Sequence, residues 1–305
     1  MVSLDQLYSD AYRPQRVEPY PYQRALAESD SYDILIAPTG LGKTAAVTLG
    51  WAWRRLTSPN RTPRRLVWCL PMRSLVEQTA TNAQVWISRL SQHFDAARQT
   101  PPEVHLLMGG TERTEWRLYP ERAAIIVGTQ DMLLSRALMR GYGMSRFGWP
   151  IDFGLLHTDS LWVFDEVQLM SAGLATSAQL DAFRRIRTGS SNRRALARSL
   201  WVSATLRRDW LNTVDLVKVA PELRVIEWDS GGAAEPPALT RRLDALKHVT
   251  RAATCLLPSA GKMQFQHYAR SLAGRLQARI ERLDVIGNGV LLQTGKLFDA
   301  HLCKL

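Results

Sequence analysis

Seven short, continuously apolar segments constrain the fold of this chain more than any other feature of its sequence. Patterns typical of helices separate one segment from the next. Unbroken apolar runs of this length are typical of strands buried on both faces, and such strands occur in parallel sheets covered by helices. The sequence therefore predicts an α/β fold with a mostly parallel sheet between two helical layers. The predicted strands lie at residues 33–37, 66–70, 104–108, 123–127, 161–164, 200–202 and 223–228.

The first apolar segment runs into a glycine-containing loop that ends in Lys43 and Thr44. A strand, such a loop and a helix start form the usual cradle for nucleotide phosphates. Its backbone N–H groups face the anion, the lysine reaches the β- and γ-phosphates, and the hydroxyl binds Mg²⁺. Ala37 stands where the first glycine of this pattern is usual. Taken alone, the loop fits an ordinary strand–helix turn with a solvated lysine equally well.

An acidic pair, Asp165 and Glu166, directly follows the fifth apolar segment. A nucleotide hydrolase needs one acid to hold Mg²⁺ through water and another to polarise the attacking water. Acidic pairs are commonly solvated turns, but ligands of parallel sheets bind beyond the carboxyl ends of the strands, where this pair and Lys43 are both expected. Together they indicate an ATP site.

Two further signatures are ambiguous by themselves. Tyr22 and Gln23, upstream of the loop, are suited to stack on a purine and read its edge, although such pairs are common. Ser203 and Thr205 follow the sixth apolar segment. Their hydroxyls could bond to the acidic cluster and sense the γ-phosphate, or simply form a turn or a helix cap.

The formal net charge of +11 favours a polyanionic partner, with nucleic acid as the first candidate. The charge is most one-sided between Phe183 and Arg208, where no acidic residue occurs. A run of one sign is typical of a surface that contacts phosphates, although the same arginines could instead pack against another domain. The run contains eight arginines, at positions 184, 185, 187, 193, 194, 198, 207 and 208.

Several classes of protein are disfavoured. No apolar run approaches the ~18 residues that span a bilayer, and the first residues lack the pattern of a signal peptide. The three cysteines are too few and too scattered for a disulfide framework or a zinc cluster. We therefore expect a cytoplasmic protein with no membrane partner.

Residues 230–237 are a linker by composition. We predict a nucleotide-binding domain over residues 1–229, a linker over 230–239 and the partial start of a second lobe over 240–305. Within that last part, residues 240–255 and 266–282 look helical, and 289–292 is a candidate strand.

The motifs, taken in order, resemble those of superfamily 2 DEAD/DEAH-type helicases, which commonly carry alanine at the position of Ala37. The stretch from Val163 to Met170, with Pro19 to Gln23 upstream, looks more specifically like the CRISPR-associated helicase of type I interference. The resembling motifs are Gln23 and residues 37–44, 71–75, 128–131, 165–168 and 203–205.

This resemblance implies the first RecA-like lobe of an ATP-dependent helicase or translocase that moves on single-stranded DNA in antiviral defence. ATP and Mg²⁺ are the implied cofactors, and Asp165 and Thr44 would hold the metal. Glu166 would activate the hydrolytic water. The nucleotide would be bound by Tyr22, Gln23, Thr39, Gly40, Leu41, Gly42, Lys43 and Thr44. Hydrolysis would be coupled to movement by Gln168, Ser203 and Thr205. The DNA backbone would be contacted by Pro71, Arg73, Gly110, Gly128 and Thr129.

The resemblance covers roughly residues 15 to 230, and no later stretch resembles the arginine-finger motif of a second lobe. We therefore expect a truncated motor, a CRISPR effector complex as its partner, and a nuclease domain or subunit elsewhere. No histidine is followed by aspartate, so we predict no nuclease activity for this chain. One alternative is a remnant that binds ATP and nucleic acid without helicase activity. A small-molecule P-loop kinase is another, but it would leave the DNA-contact motifs unexplained.

Overall fold

The computed structural model describes residues 2–29, 31–109, 115–186 and 197–228, and the backbone alone of residues 254–258, 280–286 and 289–294. The chain divides into two compact units, Met1–Ala234 and Glu235–Leu305.

The first unit contains a seven-stranded sheet in which every neighbouring pair is parallel, with the order β3-β4-β2-β5-β6-β1-β7. The predicted α/β fold is confirmed, and each predicted strand is present with ends shifted by a few residues. The strands are β1 Ile34–Ile36, β2 Arg65–Leu70, β3 Glu103–Leu107, β4 Ala124–Thr129, β5 Ser160–Asp165, β6 Arg198–Ser203 and β7 Val225–Glu227.

The centre of the sheet is held by large aromatic side chains. Trp68 of β2, Trp162 of β5 and Trp201 of β6 are each fully buried. The Phe164 ring stacks between the last two tryptophans, with centroids 5.5 and 6.2 Å away. Because burying one large apolar side chain stabilises a fold by roughly 1.5–3 kcal/mol, these strands form a firm base for the residues at their ends.

Eight helices in the described part of the first unit cover the sheet. α2 begins with a proline in its first turn, where proline is tolerated because that N–H has no intrahelical partner. The helices are α1 Leu4–Ala11, α2 Pro21–Glu28, α3 Lys43–Thr57, α4 Arg73–Ala96, α5 Gln130–Ala137, α6 Trp149–Leu156, α7 Ala172–Ile186 and α8 Leu216–Val219. No helix described is long and apolar enough to cross a membrane.

Two arginines of the one-sign run, Arg184 and Arg185, have partners within the first unit. Arg184 is buried, and its guanidinium donates to His157 Nδ1 and to Ser199 Oγ, both at 3.2 Å. Arg185 forms salt bridges of 2.5 Å with Asp33 and with Asp181. The predicted phosphate contact is therefore wrong for Arg184, which is buried, whereas Arg185 is partly exposed and is paired with two aspartates of its own unit. Positions 187, 193 and 194 lie outside the described residues.

In the second unit, β8 Thr254–Pro258, β10 Gly289–Thr294 and β9 Ile280–Ile286 form an antiparallel sheet in that order. The candidate strand at 289–292 lies within β10. The helical prediction is wrong for residues 254–255 and 280–282, which pair with β10. Strand pairing with a distant segment outweighs local helix preference there. The rest of the two predicted helices lies outside the described residues.

Candidate active site

The sheet order separates the predicted site residues into two adjacent groups at the carboxyl edge. The strands β5, β6 and β1 are neighbours, and they lead into the acidic pair, Ser203 and the phosphate loop. The strands β3, β4 and β2 are also neighbours, and they lead into the residues predicted to contact nucleic acid. A parallel sheet thus brings scattered stretches of the chain to one edge, as its topology requires.

The phosphate loop, residues 37–42, connects β1 to the N-terminus of α3. Gly40 and Gly42 have φ values of +91° and +77°, a left-handed conformation that favours glycine. Ala37 is not among the residues with positive φ, so a side chain is tolerated at this position of the loop. The Ala37 N–H donates to the Ser203 carbonyl at 3.1 Å and fixes the start of the loop to β6.

Lys43 is the first residue of α3, and its side chain is buried within the loop. Its Nζ donates to the Ala37 carbonyl at 3.1 Å, so the ammonium spans the loop from end to start. Thr44 follows it in the first turn and is half-buried, whereas Thr39 is exposed at the loop tip. A lysine cation and free helix N–H groups at one point favour a phosphate group.

The acidic pair stands where β5 ends. Asp165 is buried, and its Oδ1 accepts the Glu166 N–H at 2.8 Å. Glu166 adopts a left-handed backbone with φ of 51°, which is uncommon for a residue other than glycine and is frequent at functional sites. Burial raises the pKa of Asp165 to about 6, and the Glu166 charge adds to the rise, while the Glu166 N–H and Lys43 oppose it.

A continuous hydrogen-bond chain joins this pair to the end of β6. The Gln168 amide donates to the Glu166 carboxylate. The Ser203 hydroxyl donates to Gln168 Oε1 at 2.8 Å and accepts the Thr205 N–H at 3.1 Å. The three residues predicted to couple hydrolysis to movement thus form one connected set.

Tyr22 and Gln23 of α2 bind to the phosphate loop. The Tyr22 hydroxyl donates to the Leu41 carbonyl at 2.7 Å, and the Gln23 amide donates to the Gly42 carbonyl at 3.1 Å and the Leu41 carbonyl at 3.3 Å. Gln23 Oε1 accepts the Tyr20 N–H at 2.9 Å. Any change at this pair is therefore transmitted directly to the loop backbone.

Two aromatic residues that sequence reasoning did not assign complete this corner of the site. Trp228 follows β7, and its N–H donates to the Ile36 carbonyl at 2.8 Å. Its ring meets the rings of Tyr20 and Tyr22 edge-on, with centroids 5.7 Å apart in each case. The run Pro19–Gln23 was the only signal in the sequence for Tyr20. Trp228 was predicted only as the last residue of a strand, because its contact with the tyrosines depends on the pairing of β7 with β1.

The residues predicted to contact nucleic acid, at the ends of β2, β3 and β4, differ in their exposure. Arg73 is exposed at the start of α4, and Pro71 and Thr129 are half-buried at strand ends. Gly128 is buried inside β4, where a side chain would approach the Leu107 carbonyl to 2.7 Å, so the structure gives it a packing role. Gly110 lies outside the described residues, and the predicted contact at each position stays a prediction.

The N-cap of α4 also differs from what its residue types indicate. Ser74 is suited by its hydroxyl to cap this helix, but the helix begins at Arg73 and Met72 is its N-cap. The backbone already turns helical after Met72, so Ser74 lies within the first turn, exposed beside Arg73.

The residues at the edge of β5, β6 and β1 fit a nucleotide with Mg²⁺. The loop and the first turn of α3 offer N–H groups, one ammonium and the Thr44 hydroxyl, and the end of β5 offers two carboxylates. Hard oxygen ligands of this kind suit Mg²⁺. Burial raises the pKa of Asp165, and a divalent cation beside this carboxyl would favour its charged form.

The sequence is similar to one protein family over the residues that form this site. The model of the DEAD/DEAH box helicase family matches residues 22–214, which span the phosphate loop, the acidic pair and Ser203. No curated protein matches the chain.

Among solved structures, the DUF1998 helicase MrfA bound to DNA has a TM-score of 0.51 at 15% identity, over 74% of this chain and 29% of that one. Dbp5 of S. cerevisiae, bound to Gle1 and IP6, has a TM-score of 0.48 at 18% identity, over 73% of this chain and 50% of that one. Mss116p, bound to single-stranded RNA and AMP-PNP, has a TM-score of 0.47 at 18% identity, over 74% of this chain and 45% of that one. The chain therefore spans half or less of these proteins, and the likeness to MrfA shows the RecA-like fold alone.

Proposed function

This chain belongs to the DEAD/DEAH box helicase family, and we propose that it binds and hydrolyses ATP to drive movement along single-stranded DNA. One observation carries the proposal. The chain of hydrogen bonds from Glu166 through Gln168 to Ser203 and Thr205 links the acidic pair to the strand that anchors the phosphate loop. Such a link is what a motor needs to convert the state of its nucleotide into movement.

ATP binding, in this proposal, begins at α2. Tyr22 and Gln23 bind the adenine, with the Trp228 ring beside them. The loop N–H groups and the α3 N-terminus surround the phosphates, and Lys43 Nζ exchanges the Ala37 carbonyl for a phosphate oxygen. Mg²⁺, when bound, neutralises phosphate charge, and Thr44 and Asp165 are the residues that would hold it.

Hydrolysis requires a water aligned with the γ-phosphorus. Glu166 accepts a proton from this water as its oxygen forms a bond to phosphorus and the bond to the β-phosphate oxygen breaks. ADP and phosphate are the products. The Gln168 amide, which donates to Glu166, orients that carboxylate. Arginine fingers from a second RecA-like lobe would add about 10³-fold or more in rate.

We further propose that single-stranded DNA lies along the edge formed by β3, β4 and β2. Arg73 supplies charge there, and Pro71 and Thr129 line the path. Such contacts bind the backbone without reading sequence, which suits a translocating motor.

The sequence from Val163 to Met170 supports a finer assignment, the CRISPR-associated helicase of type I interference. In that role the chain would act in the cytoplasm with a CRISPR effector complex, and a nuclease domain or subunit would cut the DNA. This assignment predicts that the chain unwinds or translocates along DNA loaded by such a complex and does neither on single-stranded RNA. That outcome would distinguish it from other helicases.

Single-turnover hydrolysis of ATP, with and without oligothymidylate, tests the general proposal. We expect Lys43→Ala to slow hydrolysis by about 100-fold, because it removes a cation from the charge that develops at phosphate. Lys218→Ala, at an exposed lysine of α8, is the matched control and should leave the rate unchanged.

Equal rates in wild type and Lys43→Ala would contradict the proposal. The alternative, a remnant that binds without turnover, predicts instead salt-sensitive DNA binding that survives Lys43→Ala while no ATP is hydrolysed.

A further inference from the structure

An exposed apolar patch lies on the connection between α5 and β5. Among the described residues, fifteen large hydrophobic side chains are exposed, and five of them belong to this patch. Phe147 is 91% exposed and Tyr142 is 69% exposed, values that leave both rings largely in water. Isolated exposed hydrophobic residues are ordinary, but a concentration of them marks an interaction surface. The α5–α6 patch consists of Leu138, Met139, Tyr142, Phe147 and Ile151.

The backbone under this patch is held in place by specific contacts. Gly141 and Gly143 have positive φ, and a side chain at Gly141 would clash with the Trp149 ring. The Tyr142 N–H donates to Ser135 Oγ at 3.1 Å. The two exposed rings therefore project from a folded loop.

Buried ion pairs also hold the backbone of the patch in place. Asp152 is fully buried and pairs with both Arg117 and Arg136. This pairing fixes the start of α6 against the end of α5, so the patch has a firm base.

The patch lies away from the proposed ATP and DNA edge. His157 Nε2, just ahead of β5, lies 2.8 Å from the Ala137 carbonyl at the end of α5. Arg65, the first residue of β2, donates to the Leu155 carbonyl of α6 at 3.0 Å. The ends of both helices are thus at the amino ends of the strands, opposite the edge where the phosphate loop stands.

The exposed charges on the segment that carries the patch have one sign. No aspartate, glutamate or lysine occurs between residues 132 and 151. Arg140 and Arg146 are exposed there, and the first acid beyond them, Asp152, is buried. A partner that complements this surface must carry carboxylates around an apolar face.

The residue types favour a protein over a nucleic acid. Aromatic residues, methionine and arginine are enriched at protein interfaces, where lysine and acids are depleted. A platform for single-stranded nucleic acid also uses aromatic rings and cations, but it has no use for exposed aliphatic groups such as Leu138, Met139 and Ile151.

We propose that the α5–α6 patch docks a partner protein through an amphipathic segment whose apolar face is flanked by aspartate or glutamate. Tyr142 and Phe147 are the apolar anchors, and Arg140 and Arg146 pair with the flanking carboxylates. The proposal does not depend on ATP hydrolysis.

A phage-displayed random peptide library, selected on the full chain and counter-selected on a Tyr142→Ser/Phe147→Ser variant, tests this. Both side chains are exposed, so equal melting temperatures would show that the variant is folded. We expect the recovered peptides to combine large apolar residues with acids. Their affinity, from fluorescence polarisation of the synthetic peptides, should fall about tenfold or more in the double variant.

Two comparisons sharpen the result. Arg140→Glu/Arg146→Glu should weaken binding and reduce its salt dependence, because rim charges act on association. Val85→Ser and Arg208→Glu, at exposed positions elsewhere, should have no effect.

Four outcomes would overturn the proposal. Selection could yield no peptide that depends on Tyr142 and Phe147, or the dependent peptides could lack acids. Oligothymidylate could lose affinity in the double variant, which would make the patch a nucleic-acid contact. Sedimentation could show a wild-type dimer that the double variant lacks, which would make a second copy the occupant.

Discussion

The Ser203 hydroxyl donates to Gln168 Oε1 at 2.8 Å, although 35 residues of sequence separate the two. This bond joins the segment after β5 to the end of β6, and Ser203 is fully buried. It therefore places the orientation of Gln168, and through it Glu166, under the control of β6.

Ser203→Ala should uncouple hydrolysis from DNA. Removal of one hydrogen bond is worth about 0.5–1.5 kcal/mol, so we expect the stimulation of ATPase by oligothymidylate to fall by about two- to tenfold. ATP affinity should stay near the wild-type value, because Lys43 and the loop are untouched. Ser88→Ala, at an exposed serine of α4 outside the predicted DNA-contact residues, is the control. Unchanged stimulation in Ser203→Ala would remove this bond from the coupling route.

Gly42→Ala should damage the phosphate loop. The residue has φ of +77°, and an added Cβ would lie 3.0 Å from Gln23 Nε2. A left-handed alanine costs roughly 1–2 kcal/mol, and we expect a lower melting temperature together with weaker binding of a fluorescent ATP analogue.

Gly154→Ala provides the matched control for this variant. A side chain at Gly154 of α6 would meet nothing within 4 Å. Since alanine favours helix over glycine by about 1 kcal/mol, Gly154→Ala should leave ATP binding unchanged and raise the melting temperature slightly. Equal behaviour of the two variants would show that Gly42 has no special backbone role.

The continuous apolar strands and the residues that directly follow them could be predicted from sequence, because both depend on local order along the chain. Trp228 and Tyr20 could not be assigned, since their contact arises only when β7 pairs with β1. The internal partners of Arg184 and Arg185 could not be predicted for the same reason. Arg184 donates to His157 and Arg185 pairs with Asp33, and both partners are too distant in sequence to appear in a local count of charge.

Asp165 should make stability depend on pH in a defined direction. Burial raises its pKa from 3.8 to about 6, so the folded chain holds a proton that the unfolded chain releases between these values. The associated stability is fully present below about pH 3.8 and is lost as the pH rises through about 6. It amounts to about 3 kcal/mol by linkage.

Asp165→Asn removes this titration and keeps an oxygen that can accept the Glu166 N–H. We expect urea denaturation to show the Asp165→Asn variant stabilised relative to wild type at about pH 8, with the gain reduced to about half at pH 5. A constant difference between the two proteins across this range would contradict the assigned cause.

Arg184→Ala should lower the free energy of unfolding without directly changing the affinity for DNA. The guanidinium is buried, donates to His157 and Ser199, and lies 5.0 Å from the centre of the Trp162 ring. Its removal leaves buried acceptors on His157 and Ser199 unsatisfied, which costs about 1–3 kcal/mol, and urea denaturation would measure this loss. Arg208→Ala, at an exposed arginine of the same run, should cost less than about 0.5 kcal/mol. If Arg184→Ala kept full stability but lost affinity for oligothymidylate, the arginine would be a DNA contact, and the interior role that the structure gives it would be wrong.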